Sequence, residues 1–245
     1  MSEMRIGGHW QRESITAPGM EDRTTRVHWL QAEEGFCDIR IPLTRPDTEG
    51  AGALCELGAD ALLELMNGFG FAGTTQLKGD RCTWHRQIAF HGTPEGAAAD
   101  VGTLRRGPGG RIIEDGAEGA YREVWTRLAH APCDHATWRL EDRVLHLAWT
   151  RSTFLLATGV PDAPDSLSLR QALEKGERPE AALADFFTAE YTLGHWDRDR
   201  GVARLSTDPL REGQVILSLA GLEDARLHLF RTDYFGTLRE EVWHR

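Results

Sequence analysis

YREVWTR at residues 121–127 and REEVWHR at 239–245 agree at Glu123/Glu241, Val124/Val242, Trp125/Trp243 and Arg127/Arg245, an offset of 118 residues in a chain of 245. An offset close to half the chain implies one structural unit built twice, and that requires other blocks to recur in the same order. They do. VHWLQAEEGFCDIRIP (27–42) has its counterpart in HLAWTRSTFLLATGVP (146–161), pairing Trp29 with Trp149, Phe36 with Phe154 and Pro42 with Pro161 at offsets of 120, 118 and 119. After each block comes a helical stretch, 53–68 and then 169–187, the second broken at Gly176. In the first, Leu54, Leu57, Ala61 and Leu65 recur at helical spacing, Glu56, Asp60 and Glu64 form the opposite face, and Gly68 is a C-terminal stop.

Strand-like text follows each helix. LKGDRCTWHRQI and WDRDRGVARLST align Asp80-Arg81 with Asp199-Arg200 and Arg86 with Arg204. HWQRES (9–14) echoes TWRLED (137–142) at an offset of 128, because the first hairpin carries the longer loop TAPGMEDRT. The repeated order predicts two units, 1–130 and 131–245, with the boundary in AHAPCDHA (129–136).

The first half holds eight strand signals, at 9–15, 25–32, 35–42, 71–78, 81–91, 98–105, 110–115 and 120–128, rich in β-branched and aromatic residues and parted by Gly, Pro and Asp. Eight short antiparallel strands with one helix predict a small closed barrel, since closure removes exposed edges. The expected fold is therefore all-β, two tandem barrels with one or two helices per half. Gly8-His9-Trp10 in GGHWQRE resembles the G-x-W opening of lipocalins and other calycins. The doubled arrangement, with CDIRIP after a Trp-bearing strand, resembles a family of tandem lipocalin-like barrels known from fungi as a casein-kinase interactor. The resemblance implies barrels and, by analogy, binding of a small apolar molecule. Thr232-Asp233-Tyr234 matches another lipocalin motif but sits in the wrong half and reads as coincidence.

Alternation sorts side chains by face. In RCTWHRQIAFHG, Trp84, Arg86, Ile88 and Phe90 share the apolar face expected to point inward, with His85 and His91 outward. A buried guanidinium needs acceptors. Asp38, beside Arg40 and Phe36, Glu123, beside Tyr121 and Trp125, and Asp100 supply them. The expected lining is Asp38, Arg40, Trp84, Arg86, Tyr121 and Glu123. One alternative turns Asp38 and Arg40 to solvent, because Cys37, Ile39 and Ile41 form the more apolar face of their strand; another reads the whole set as a salt-bridge network closing the barrel floor. At the same offset the second half has Leu156, Thr158, Val202, Arg204, Arg239 and Glu241, so the Arg/Glu pair reads as structural and the remaining polar groups as a pocket in the first barrel.

Composition narrows the function. The chain has 28 Lys and Arg against 38 Asp and Glu, a formal charge of -10, and no basic stripe, which argues against nucleic acid and anionic membrane as partners. No apolar stretch approaches the ~18 residues of a spanning helix. The four cysteines are scattered without a C-x-x-C pair, as in a cytoplasmic protein. Cys82 and His85, three apart on a strand, face opposite sides, so no metal site is expected and no cofactor is implied. No G-x-S-x-G elbow is present. Three readings follow: a binder of a small apolar or amphipathic molecule in the first barrel; an isomerase, cyclase or hydratase using Glu123 as acid or base, Arg86 as anion site and Tyr121 as donor; or a protein-interaction module with filled barrels and a protein partner.

Overall fold

In the computed structural model, which describes residues 4–94, 96–129, 131–218, 222 and 225–245, the chain forms two closed antiparallel barrels in tandem. The first uses β1 (Gly8–Ala17), β3 (Arg26–Gln31), β4 (Gly35–Ile41), β5 (Phe69–Lys78), β6 (Arg81–Ala89), β7 (Asp100–Arg106), β8 (Ile112–Gly116) and β9 (Arg122–Ala129), and β9 returns to pair with β1. The long first hairpin loop contains a further strand, β2 (Met20–Asp22), folded back on the end of β1. The second barrel runs β10 (Asp134–Leu140), β11 (Arg143–Trp149), β12 (Thr153–Gly159), β13 (Glu190–Asp197), β14 (Arg200–Ser206), β15 (Val215–Ser218), β16 (Arg226–Thr232) and β17 (Leu238–His244). Between β9 and β10, His130 of the expected boundary lies outside the described residues.

The predicted first helix divides into a 3-10 turn at Leu54–Glu56 and α1 (Ala59–Leu65), with Leu62 rather than Ala61 completing the buried face. The second divides at Gly176 into α2 (Leu167–Glu174) and α3 (Glu180–Phe186). All three helices pack into an apolar core shared by the barrels. Cys37, Ile39 and Ile41 of β4 enter it with Leu62, Leu65, Val144, Leu155 and Tyr191. The more apolar face of β4 thus turns outward to meet the other barrel, leaving Phe36, Asp38 and Arg40 for the interior. This excludes the alternative that put Asp38 and Arg40 in solvent.

Ladder register corrects three of the expected correspondences. Phe36 lies opposite Gln31 and Phe154 opposite Trp149, so the counterpart of Trp149 is Gln31, and that of Trp29 is Leu147. Gln11 faces His28 as Thr137 faces His146, an offset of 126 for the opening strands instead of 128. Both slips are of two residues, which preserves strand face. The third correction changes face. A β-bulge between Ala72 and Gly73 on the β5–β6 ladder leaves Gln87 unpaired, and the same bulge recurs between Leu193 and Gly194, leaving Arg204 unpaired. Beyond the bulge, Ile88 and Phe90 point to the inter-barrel core while Trp84 stays inside. By the same ladders Arg86 corresponds to Ala203, Trp84 to Gly201, and exposed Arg204 to Gln87.

A buried histidine pair is also duplicated. His9 Nε2 lies 3.1 Å from His28 Nδ1, and His135 Nε2 lies 3.0 Å from His146 Nδ1. Burial drives all four below the ordinary imidazole range, to about 3 or 4, so both pairs are neutral struts.

Candidate functional site

All six residues expected to line the first barrel surround one cavity of about 120 Å³. Beside Asp38, Arg40, Trp84, Arg86, Tyr121 and Glu123, its walls include Trp29, Phe36, Phe71, Trp125, Asp100 and Glu114. An apolar cavity of about 150 Å³ holds benzene, whereas drug-sized pockets start near 300 Å³, so the space suits a molecule of roughly six non-hydrogen atoms.

The polar wall is a chain of ion pairs anchored on neighbouring strands. Asp38 is 2 % exposed and accepts from Arg40 Nε at 2.9 Å, both side chains standing on the inner face of β4. Arg40 Nη1 reaches Glu123 Oε1 at 3.2 Å, and Arg12 Nη1 reaches the same oxygen at 2.8 Å. Asp22 of β2 takes the other arm of Arg12 at 2.7 Å, so the hairpin extension positions that guanidinium. Burial raises the Asp38 carboxyl and Arg40 opposes the rise. For Arg40 itself, burial favours loss of the proton, but Asp38 and Glu123 outweigh it and the guanidinium is held more firmly charged.

Glu114 is the other centre. It lies directly across the β8–β9 ladder from Glu123. Tyr121 donates to its Oε1 at 2.7 Å and Trp125 Nε1 donates to its Oε2 at 3.1 Å, both neutral partners. Burial first, and then the adjacent Glu123 charge, push Glu114 up to about 8. Two carboxyls face each other in unlike surroundings: Glu123 between two guanidiniums, Glu114 among neutral donors and protonated at neutral pH. Gly116 and Gly102 make this possible sterically. A methyl group at Gly116 would lie 2.5 Å from the Tyr121 ring, and one at Gly102 would lie 3.1 Å from Glu114 Cγ.

Arg86 departs from its expected place. It rims the cavity with its side chain 35 % exposed instead of being buried, bonds Asp100 through Nε at 3.1 Å and Nη2 at 2.6 Å, and stacks 4.0 Å from the Phe71 centroid. The Arg/Glu pair expected in both halves does not exist: Arg86 binds Asp100, and Glu241 binds Arg143 at 2.9 Å. Trp29 makes edge contacts with Trp84 and Trp125, centroids 6.1 and 5.6 Å away, which builds the apolar wall.

Two participants were missed at the sequence level, and both carry an alternation signal. Arg12 lies two residues from buried Trp10 and opposite Trp125 on the inner face of β1, and Glu114 shares its face with Ile112. The second barrel is different. Read along the ladders, Asp38, Arg40, Phe71 and Glu114 are replaced by Leu156, Thr158, Thr192 and Leu229, and Leu156 and Leu229 join an apolar interior with Phe154, Trp138 and Trp243. Its polar groups cluster at the level of Glu190, where buried Arg211 binds the Glu190 carboxylate at 3.2 Å.

Comparison with known proteins finds no matching family model and no matching curated protein. Among solved structures, the chain is similar to the uncharacterized protein YLR301w from Saccharomyces cerevisiae, with a TM-score of 0.55 and 11 % identity over 98 % of this chain and 100 % of that one. At that identity the likeness concerns the fold, two barrels in tandem. Among the described residues no helix is long and apolar enough to cross a membrane, and no group of three or more His, Cys, Asp or Glu is placed to hold a metal ion.

Proposed function

We propose that this protein binds a small amphipathic molecule in its first barrel. One observation carries the reading: the first barrel encloses a cavity walled by tryptophans and charged groups, while the corresponding positions in the second barrel are largely leucine, threonine and small residues. A merely structural duplication has no reason to keep buried charges around a cavity where the other copy has Leu156, Thr158 and Leu229, since each costs desolvation that those side chains avoid. Kinship with lipocalins and with the fungal casein-kinase interactor family belongs to the same proposal. It rests on Gly8-His9-Trp10 opening β1 and on the doubled barrels. A cytoplasmic setting is proposed from the four cysteines, all of them free.

Native mass spectrometry of the freshly purified protein beside Arg86→Ala tests the binding reading. The expected result is a reproducible low-mass adduct that is lost when the Arg86–Phe71 rim is removed. An unliganded mass for the wild type, combined with no thermal stabilisation by any of a panel of compounds with about six non-hydrogen atoms, would overturn it.

A second reading, proton-transfer catalysis in the same cavity, is favoured by the protonated Glu114 facing Glu123. The sequence alone gave the acid or base role to Glu123, and the environment favours Glu114. Conversion of the bound compound that Glu114→Gln abolishes while binding persists would support catalysis; binding without conversion in the wild type would leave the carrier reading alone.

A further inference from the structure

We propose that the ligand of the first barrel is a small organic cation, a protonated amine or amidine of about six non-hydrogen atoms, held between the Glu114–Glu123 carboxyls and the rings of Trp29, Trp84 and Trp125. The inference rests on the binding reading above and assigns its chemical class.

The lining is acidic. Asp38, Asp100, Glu114 and Glu123 stand against Arg40 and Arg86. Arg12 approaches Glu123 from outside this lining and is shared with Asp22. Both lining guanidiniums are committed: Arg40 to Asp38 and Glu123, Arg86 to Asp100. An anionic guest would have to displace those carboxylates. A cationic guest finds an acceptor waiting. Glu123 is 1 % exposed, both arginines bond its Oε1, and among the described residues no hydrogen bond reaches its Oε2.

The elevated affinity of Glu114 for a proton points the same way. Burial is its first cause and disfavours charge of either sign. Among the titratable and charged groups that act on it, Cys82 of β6, Asp100 of β7, Tyr121, Glu123 of β9 and Arg40 of β4, the carboxylates of Glu123 and Asp100 raise it further and would equally favour a cation, with Arg40 opposing them. A proton is the smallest cation the site takes, and a bound ammonium or amidinium would replace it. The aromatic wall suits the same guest, because ring faces attract cations most strongly where water is excluded. The second barrel offers an internal parallel: its buried Glu190 is met by a guanidinium of the chain itself, Arg211.

Three compounds of equal shape decide the charge: isobutyramidine, isobutyramide and isobutyrate, titrated into the full chain and followed by the tryptophan indole NMR signals. The amidinium should bind at least ten-fold more tightly than the amide, with the carboxylate weakest. Its affinity should rise with pH across the range in which Glu114 ionises, by at most about ten-fold per pH unit for one displaced proton. Glu114→Gln should flatten that rise, and Glu123→Gln should reduce amidinium binding more than amide binding. Glu114→Gln replaces a protonated carboxyl with its isostere, which keeps the test usable if Glu123→Gln fails to fold. Equal or tighter binding of the amide or the carboxylate would overturn the cationic class and leave the binding site standing. No saturable shift of the indoles by any of the three would count against both.

Discussion

Glu114 shows how a single residue gains a role from its neighbours. Its carboxyl is ordinary in sequence, and its proton affinity comes from burial opposite a second carboxylate that already holds two guanidiniums. Because its folded value, about 8, exceeds the unfolded one, the native state binds more protons between about 4.5 and 8, and stability falls as pH rises through that window. Glu114→Gln keeps the shape and removes the titration, but its amide nitrogen cannot accept, so the bond from either Tyr121 or Trp125 is lost. In urea unfolding the variant should be the less stable near pH 4.5, by about the 1 kcal/mol of one hydrogen bond. By pH 8 the variant should be more stable, by a difference on the order of 3 kcal/mol. A constant difference across the range would mean that Glu114 is ionised at neutral pH.

Among the elements, the β5–β6 and β13–β14 hairpins record how the copies drifted. Both turn on two residues, with Gly79 at φ 66 in one and Arg198 at φ 59 in the other. The turn requires left-handed backbone at that position, which glycine adopts freely and a residue with a Cβ adopts at a cost of about 1 kcal/mol. Gly79→Ala should therefore lower the melting temperature by several degrees and Arg198→Gly should leave it level or raise it. A loss of stability in Arg198→Gly would show that the arginine side chain supports the turn. The hairpins also differ in length: from Gly73 to Lys78 the first arm spans six residues, while from Gly194 to Asp197 the second spans four. That difference shifted the sequence-level match of Arg86 onto Arg204, although the bulge beyond is common to both copies.

At the scale of the molecule, the barrels are joined by a core that neither half completes. Gly70 of β5 and Tyr191 of β13 occupy corresponding ladder positions, opposite Ile39 and Ala157. They meet at the interface, where a methyl group on Gly70 would lie 2.5 Å from the Tyr191 ring. Duplication gave two like faces, and the faces became complementary by one turning small and the other large. Gly70→Ala should cost about 1–3 kcal/mol through overpacking, with full-length unfolding remaining a single transition by circular dichroism and tryptophan fluorescence. Two separated transitions would mean that the shared core of Ile39, Ile41, Phe90, Leu155 and Tyr191 does not couple the barrels.

From the sequence alone came the duplication, the all-β barrel class, the helix break at Gly176 and the shared faces of Asp38 with Arg40 and of Glu123 with Trp125, though not the part of Arg12 or Glu114, because strand alternation and repeat period are local properties of the chain. Asp38 and Arg40 were legible as a pair on one face, but which face was inside depended on a second barrel covering Cys37, Ile39 and Ile41. Ile88 and Phe90 on the outside follow from a bulge that alternation cannot register, and the loss of the Arg86–Arg204 match from hairpin arms of unequal length. The protonation of Glu114 also belongs to the tertiary structure: it arises from groups on β4, β7 and β9 brought around one carboxyl, a many-strand encounter that no stretch of the chain contains by itself.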